Sequence, residues 1–145
     1  MNNLTELYKQ IKSFADNHEM VNEFVFVASE DELQGREFNY RTLVIIPSTS
    51  NVSRDLNSPV YTLSFTVVLL DKVPLDNDLS SILSIEENIF VIGQLQDKML
   101  KLGRETSFEE IELISTALED YNITTAFCDF DIVLPRKPFV MDINE

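Results

Sequence analysis

Apolar side chains recur at helical spacing at the start of the chain. Leu4, Leu7, Tyr8, Ile11 and Phe14 share one side, and Glu6, Lys9, Gln10, Lys12 and Ser13 fall between them. Spacings of three and four predict an amphipathic helix from about Leu4 to Asn17, with Asn3 and Glu6 as a capping pair. Phe24-Val25-Phe26-Val27 then has strand propensity, and the polar run Glu30 to Arg36, containing Gly35, marks a turn. Arg41 to Ile46 is nearly continuous in apolar residues, the pattern of a central strand covered on both faces. Pro47 to Pro59 is polar, proline-bounded and aperiodic, which predicts a long exposed loop.

The alternation is clearest from Val60 onward. Tyr61, Leu63, Phe65, Val67 and Leu69 point one way while Thr62, Ser64 and Thr66 begin the other face. Burying each large apolar side chain contributes about 1.5–3 kcal/mol gross, against about 1–2 kcal/mol per residue for ordering the backbone. Such a strand persists only when paired in a sheet against a helix. An acidic turn, Asp71 to Asp78, is expected to close it, with Asp78 or a following serine capping the next helix. That helix carries Ile82, Ile85, Ile89, Ile92, Leu95, Met99 and Leu102 as one stripe, with Glu86, Glu87, Gln96, Asp97 and Lys101 on the wetter side. At 1.5 Å per residue it would be about 30 Å long, enough to cross a sheet. Gly93 weakens it by about 1 kcal/mol, which implies close packing there against the sheet or a neighbour. Gly103 is placed as its stop.

Ser107 to Tyr121 fits two patterns. Phe108, Ile111, Ile114, Leu118 and Tyr121 suit a helix with a Ser107–Glu110 capping box, whereas Ile111 and Leu113 alternate with Glu110 and Glu112 as in a strand. Thr124 to Leu134 is extended, with Ala126, Cys128, Phe130, Ile132 and Leu134 opposite Asp129 and Asp131. Pro135 and Pro138 end it, and residues 135–145 read as an extended tail. The order predicts an α+β fold: one domain over residues 1–145, an antiparallel β-sheet with the N-terminal helix and the long second helix packed on one face.

Composition narrows the function. Forty-four per cent hydrophobic and 25% charged residues suit a globular domain. No apolar run approaches the roughly 20 residues of a membrane span, and Met1 to Glu6 has no basic-then-apolar leader, so no export signal is expected and the Asn-x-Ser/Thr triplets at Asn3, Asn51 and Asn122 read as chance. Eleven basic against 25 acidic residues give a net charge of −14. Phosphate backbones are held by Lys and Arg, so nucleic-acid binding is disfavoured. The acidity is either a solvated surface or the lining of a channel through which DNA slides.

Candidate chemistry is sparse. The only histidine, His18, lies in the polar turn after the first helix, where a solvated or capping role is expected. The single cysteine, Cys128, excludes an internal disulfide and sits on an apolar strand face, as a buried thiol does. Three glycines leave no phosphate-binding loop, and the aspartates of the acidic turn lack the spacing of a calcium loop. No enzyme, metal or cofactor is expected.

The layout itself carries a resemblance. An N-terminal helix and apolar strand lead to Tyr40-Arg41-Thr42-Leu43-Val44-Ile45-Ile46-Pro47 and a polar loop. Tyr61-Thr62-Leu63-Ser64-Phe65-Thr66-Val67-Val68-Leu69-Leu70-Asp71, an acidic turn with Asn77 and a long helix follow. From about Leu4 to Leu134 this resembles the tail terminator and tail completion family of tailed bacteriophages, including neck ring proteins of crAss-like short-tailed phages. The resemblance implies a structural virion protein of neck or tail, forming a homo-oligomeric ring of six or twelve copies that joins the portal or connector to the tail and lets DNA pass. It also implies a strand after the long helix.

Rings of this kind close through heterologous contacts. Polarity and position nominate the Pro47–Pro59 loop, the acidic turn and the tail as contact surfaces, with Asn51, Arg54, Asp55, Asp71, Asp76, Asp78, Arg136, Lys137 and Phe139 as candidate interface residues. Two other readings stay open: a small acidic protein-binding adaptor that uses an exposed sheet edge, and a DNA-mimicking inhibitor.

Overall fold

The computed structural model describes residues 4–27, 30–33, 35–52, 60–102 and 105–135. Helix α1 (Leu4–Asp16) leads to strand β1 (Glu23–Phe26), a short 3-10 turn (Glu30–Leu33), and strands β2 (Thr42–Val52) and β3 (Val60–Pro74). Helix α2 (Asp78–Lys101) follows, then β4 (Thr106–Phe108), β5 (Glu112–Leu118) and β6 (Tyr121–Pro135). Six strands form one sheet in the order β1-β2-β3-β6, with β4 and β5 in succession along the far side of β6.

The fold is α+β, and both helices bury side chains against the same sheet face. Leu7, Ile11 and Ala15 of α1 and Val91, Ile92, Leu95 and Met99 of α2 join Leu43, Ile45, Leu63, Phe65, Val67, Leu69, Ala126, Cys128, Phe130 and Ile132 in one cluster. Period-two alternation places the odd positions of β3 opposite the even positions of β6, so Phe65 stacks on Phe130 with ring centroids 5.4 Å apart. β2 is covered on both faces, as its unbroken apolar run required. Leu43 and Ile45 face the helices, while Val44 and Ile46 join Val25 and Val27 beneath Leu33 and Phe38.

Several expectations are corrected. The sheet is mixed rather than wholly antiparallel, because β1 runs parallel to β2 and the intervening chain crosses the face opposite the helices. The Pro47–Pro59 segment is not loop throughout: β2 extends to Val52 and resumes pairing with β3 after the register shifts between Pro47 and Ser50. Residues 53–59 lie outside the described residues. Ser107–Tyr121 is extended and contains β4 and β5, so the capping-box pattern does not nucleate a helix. The turn after β3 is shorter than expected because pairing with β6 continues to Pro74. Asn77, not Asp78 or a serine, caps α2 by accepting from the Ser80 amide at 3.0 Å. Gly93 is not packed against the sheet, since a Cβ there would meet nothing within 4 Å. Asn3 and Gly103 lie outside the described residues.

The largest departure concerns α2. Its inward face in the N-terminal half is polar: Ser84 and Asn88 are buried, whereas Ile82 and Ile89 are exposed. The distant partners Arg41, Asp71 and Thr124 are the reason.

Candidate subunit interface

Arg41, at the entrance to β2, is only 6% exposed. Its Nε donates to Asn88 Oδ1 at 2.7 Å, and Nη2 reaches Asp71 Oδ2 at 2.9 Å and Glu87 Oε2 at 2.7 Å. Ser84 Oγ donates to the same Asp71 oxygen at 2.6 Å, and Asn88 Nδ2 donates to the carbonyl of Thr124 at 3.3 Å. Ser84 also shares a hydrogen bond with the Thr124 hydroxyl. The network ties β2, β3, β6 and α2 together, and no buried side-chain polar atom among the described residues lacks a partner. A buried guanidinium with two carboxylates and an amide has its charge compensated where it stands. It is a rivet for α2.

The network redefines one nominated residue. Asp71, expected on a surface turn, sits in β3 opposite Thr124 and is committed to Arg41 and Ser84. Asn51 lies in β2 opposite Thr62. Asp76, with φ of 62°, and Asp78, the first residue of α2, are both exposed. They sit at the end of the molecule where the Leu75 amide donates to the Asp120 carbonyl. Arg54, Asp55, Arg136, Lys137 and Phe139 lie outside the described residues.

His18 does more than meet solvent. Its Nδ1 accepts from the Met20 amide at 3.1 Å, and Nε2 pairs with Gln94 Oε1, joining the end of α1 to α2. With Nδ1 acting as acceptor, the proton is on Nε2. Cys128 is buried, and its Sγ donates to the Glu109 carbonyl at 3.2 Å while Gln96 Nε2 approaches at 3.5 Å. Burial pushes this thiol up, so it is held protonated.

The face opposite the helices carries an open groove of about 630 Å³ whose lining includes Asp129, Asp131, Glu109, Glu110 and Glu112. Thr66 Oγ1 donates to Asp129 at 2.6 Å and Ser64 Oγ to Asp131, so both aspartates are engaged by hydroxyls. Among the described residues no cluster of His, Cys, Asp and Glu converges to hold a metal ion, and no helix is long and apolar enough to cross a membrane.

What sequence reasoning missed is apolar surface. Leu79 is 67% exposed and Phe90 51%, and with Ile82 and Leu83 they form a stripe on the outer side of α2. β5 is exposed along its whole length, with Leu113, Ile114 and Leu118 about half exposed and Tyr121 beside them. The signal was available: the N-terminal half of α2 carries more apolar residues than one face can bury, and β5 has them adjacent at 113 and 114, hence on both faces. Neither a comparison with protein-family models nor one with curated proteins finds a match.

Proposed function

We propose that this chain is a structural building block that associates with copies of itself in a closed ring at the neck or tail of a tailed bacteriophage particle, joining a portal or connector to the tail. The observation that carries self-association is the pair of apolar surfaces exposed among the described residues, one on a helix and one on an edge strand. Exposed apolar patches of this kind mark association sites. Contacts that join unlike surfaces of two copies are heterologous, and heterologous contacts that close by rotation make rings. The placement in a virion rests on the residue order from Leu4 to Leu134 and its likeness to ring-forming tail proteins. A net charge of −14 and an acidic groove on the open sheet face suit a lumen that DNA traverses without adhering.

The mass of the purified chain, by light scattering over a range of concentrations, tests the reading together with electron micrographs. Rings of six or twelve copies are the expected result. One or two subunits at every concentration, with a single foreign partner captured at β5, would instead favour an adaptor that uses this edge.

A further inference from the structure

We propose that the free edge of β5, with the flank of α2 beside it, receives residues 136–143 of a second copy as an added strand; this rests on the ring reading and names its contact. β5 is paired only with β6 among the described residues, so its other edge offers unpaired backbone donors and acceptors. Leu113 and Ile114, 47% and 51% exposed, lie on opposite faces of β5. An incoming strand would cover both with alternate side chains.

The helix supplies a wall on one side. Gln94 reaches His18 and Glu87 reaches Arg41, which turns that side of α2 toward α1 and β2. Gln96 reaches Cys128, whose thiol donates to the Glu109 carbonyl between β4 and β5, which turns the other flank toward the β5 edge. Ile82, Ile85 and Ile89 share that second flank with Gln96 by spacings of three, four and seven.

Charge selects the occupant. From Glu105 to Pro135 the sequence has no Lys or Arg, while Glu109, Glu110, Glu112, Glu119 and Asp120 lie along or beside the edge. Arg136-Lys137 is the one adjacent basic pair in the chain, and Phe139, Met141 and Ile143 follow it in alternation with Val140 and Asp142. A basic start and an alternating apolar continuation complement an acidic, apolar edge.

Reach requires a second copy. Leu113 pairs with Ala126, nine residues back from Pro135 along β6. That is about 30 Å, plus about 10 Å for two strand spacings sideways. Even fully extended, residues 136–143 reach at most about 26–29 Å past Pro135, short of that span, so a chain cannot lay them along its own edge. Donation from each copy to the next is head-to-tail.

The test titrates a fluorescein-labelled peptide of residues 134–145 with the full chain and follows anisotropy, beside a scrambled peptide. Saturable binding of the native order alone is expected, weakened about tenfold or more by Leu113→Glu or Ile114→Glu. Both changes fall on half-exposed side chains, and circular dichroism checks their folding. No binding by the chain diluted until it is monomeric, binding of the scrambled peptide equally well, or unchanged binding by both folded variants overturns the inference. Rings that keep their mass in both folded variants leave the ring reading standing and remove this contact. Peptide binding by a chain that stays monomeric leaves the contact and removes the ring.

Discussion

Arg41 and Asn88 meet at 2.7 Å beneath α2, and that bond explains why an asparagine, not an isoleucine, faces the sheet at the middle of the helix. The two acidic partners of Arg41 differ in setting. Asp71 is largely enclosed, whereas Glu87 is 43% exposed. Asp71→Ala should cost about 3 kcal/mol, since it removes the enclosed countercharge of a buried guanidinium. Glu87→Ala should cost less than about 1 kcal/mol. Urea unfolding of both variants checks the ordering, and equal losses would contradict it.

Helix α2 offers a paired prediction. Asn77→Ala removes the side chain that accepts from the Ser80 amide and should cost about 1 kcal/mol. Gly93→Ala should gain about 0.5–1 kcal/mol, because a Cβ there enters open space within a helix. If the glycine serves close approach of a neighbouring subunit, the same change raises the thermal midpoint while lowering the assembled mass. Calorimetry and light scattering on one sample read both.

Outer-face variants separate folding from assembly. Leu79→Lys and Phe90→Ser remove apolar groups that make no use of the core, so each should leave stability within about 0.5 kcal/mol of the parent. Assembled mass should fall in both. A large loss of stability with mass unchanged would show that the stripe is covered within the subunit.

The Cys128 thiol gives a pH prediction. Desolvation holds it above the ordinary 9.0, aided by Asp129 and Glu109 and opposed by the Gln96 hydrogen bond. The folded thiol therefore keeps its proton where the unfolded one has lost it. Its contribution is full below the unfolded value and declines as pH rises from there through the folded value. Chemical denaturation from pH 7 upward should show this decline, and Cys128→Ala should flatten it. Tyr40, raised by burial and by Glu37, leaves a further slope at higher pH. Thiol reagents at neutral pH should modify Cys128 only on unfolding.

Much of the framework was legible because it follows local rules. The alternation in β3 and β6 placed Phe65, Val67, Cys128 and Phe130 inside correctly, and the spacing of Leu7 and Ile11 fixed the buried side of α1. The N-terminal half of α2 was not legible. Periodicity assigned Ile82 and Ile89 to the core because it weighs hydrophobicity alone, and Ser84 and Asn88 are stable inside only through hydrogen bonds with residues 13 to 47 positions away. Asp71 was misplaced for the same reason. For contact surfaces, polarity drew attention to loops, turns and the tail, much of which lies outside the described residues, whereas the exposed large apolar side chains of α2 and β5 lie on regular elements.

The antiparallel ladder between β3 and β6 runs without interruption through all 15 residues of each strand, from Val60 opposite Pro135 to Pro74 opposite Tyr121. Its inter-strand bonds lie across the strand direction. A load drawing the two strands lengthwise past each other would strain the whole row together, while one peeling them apart from an end would break the bonds in turn. The subunit is therefore mechanically strongest along this axis, and an assembly bearing pressure gains most by orienting its copies so that stress runs down it.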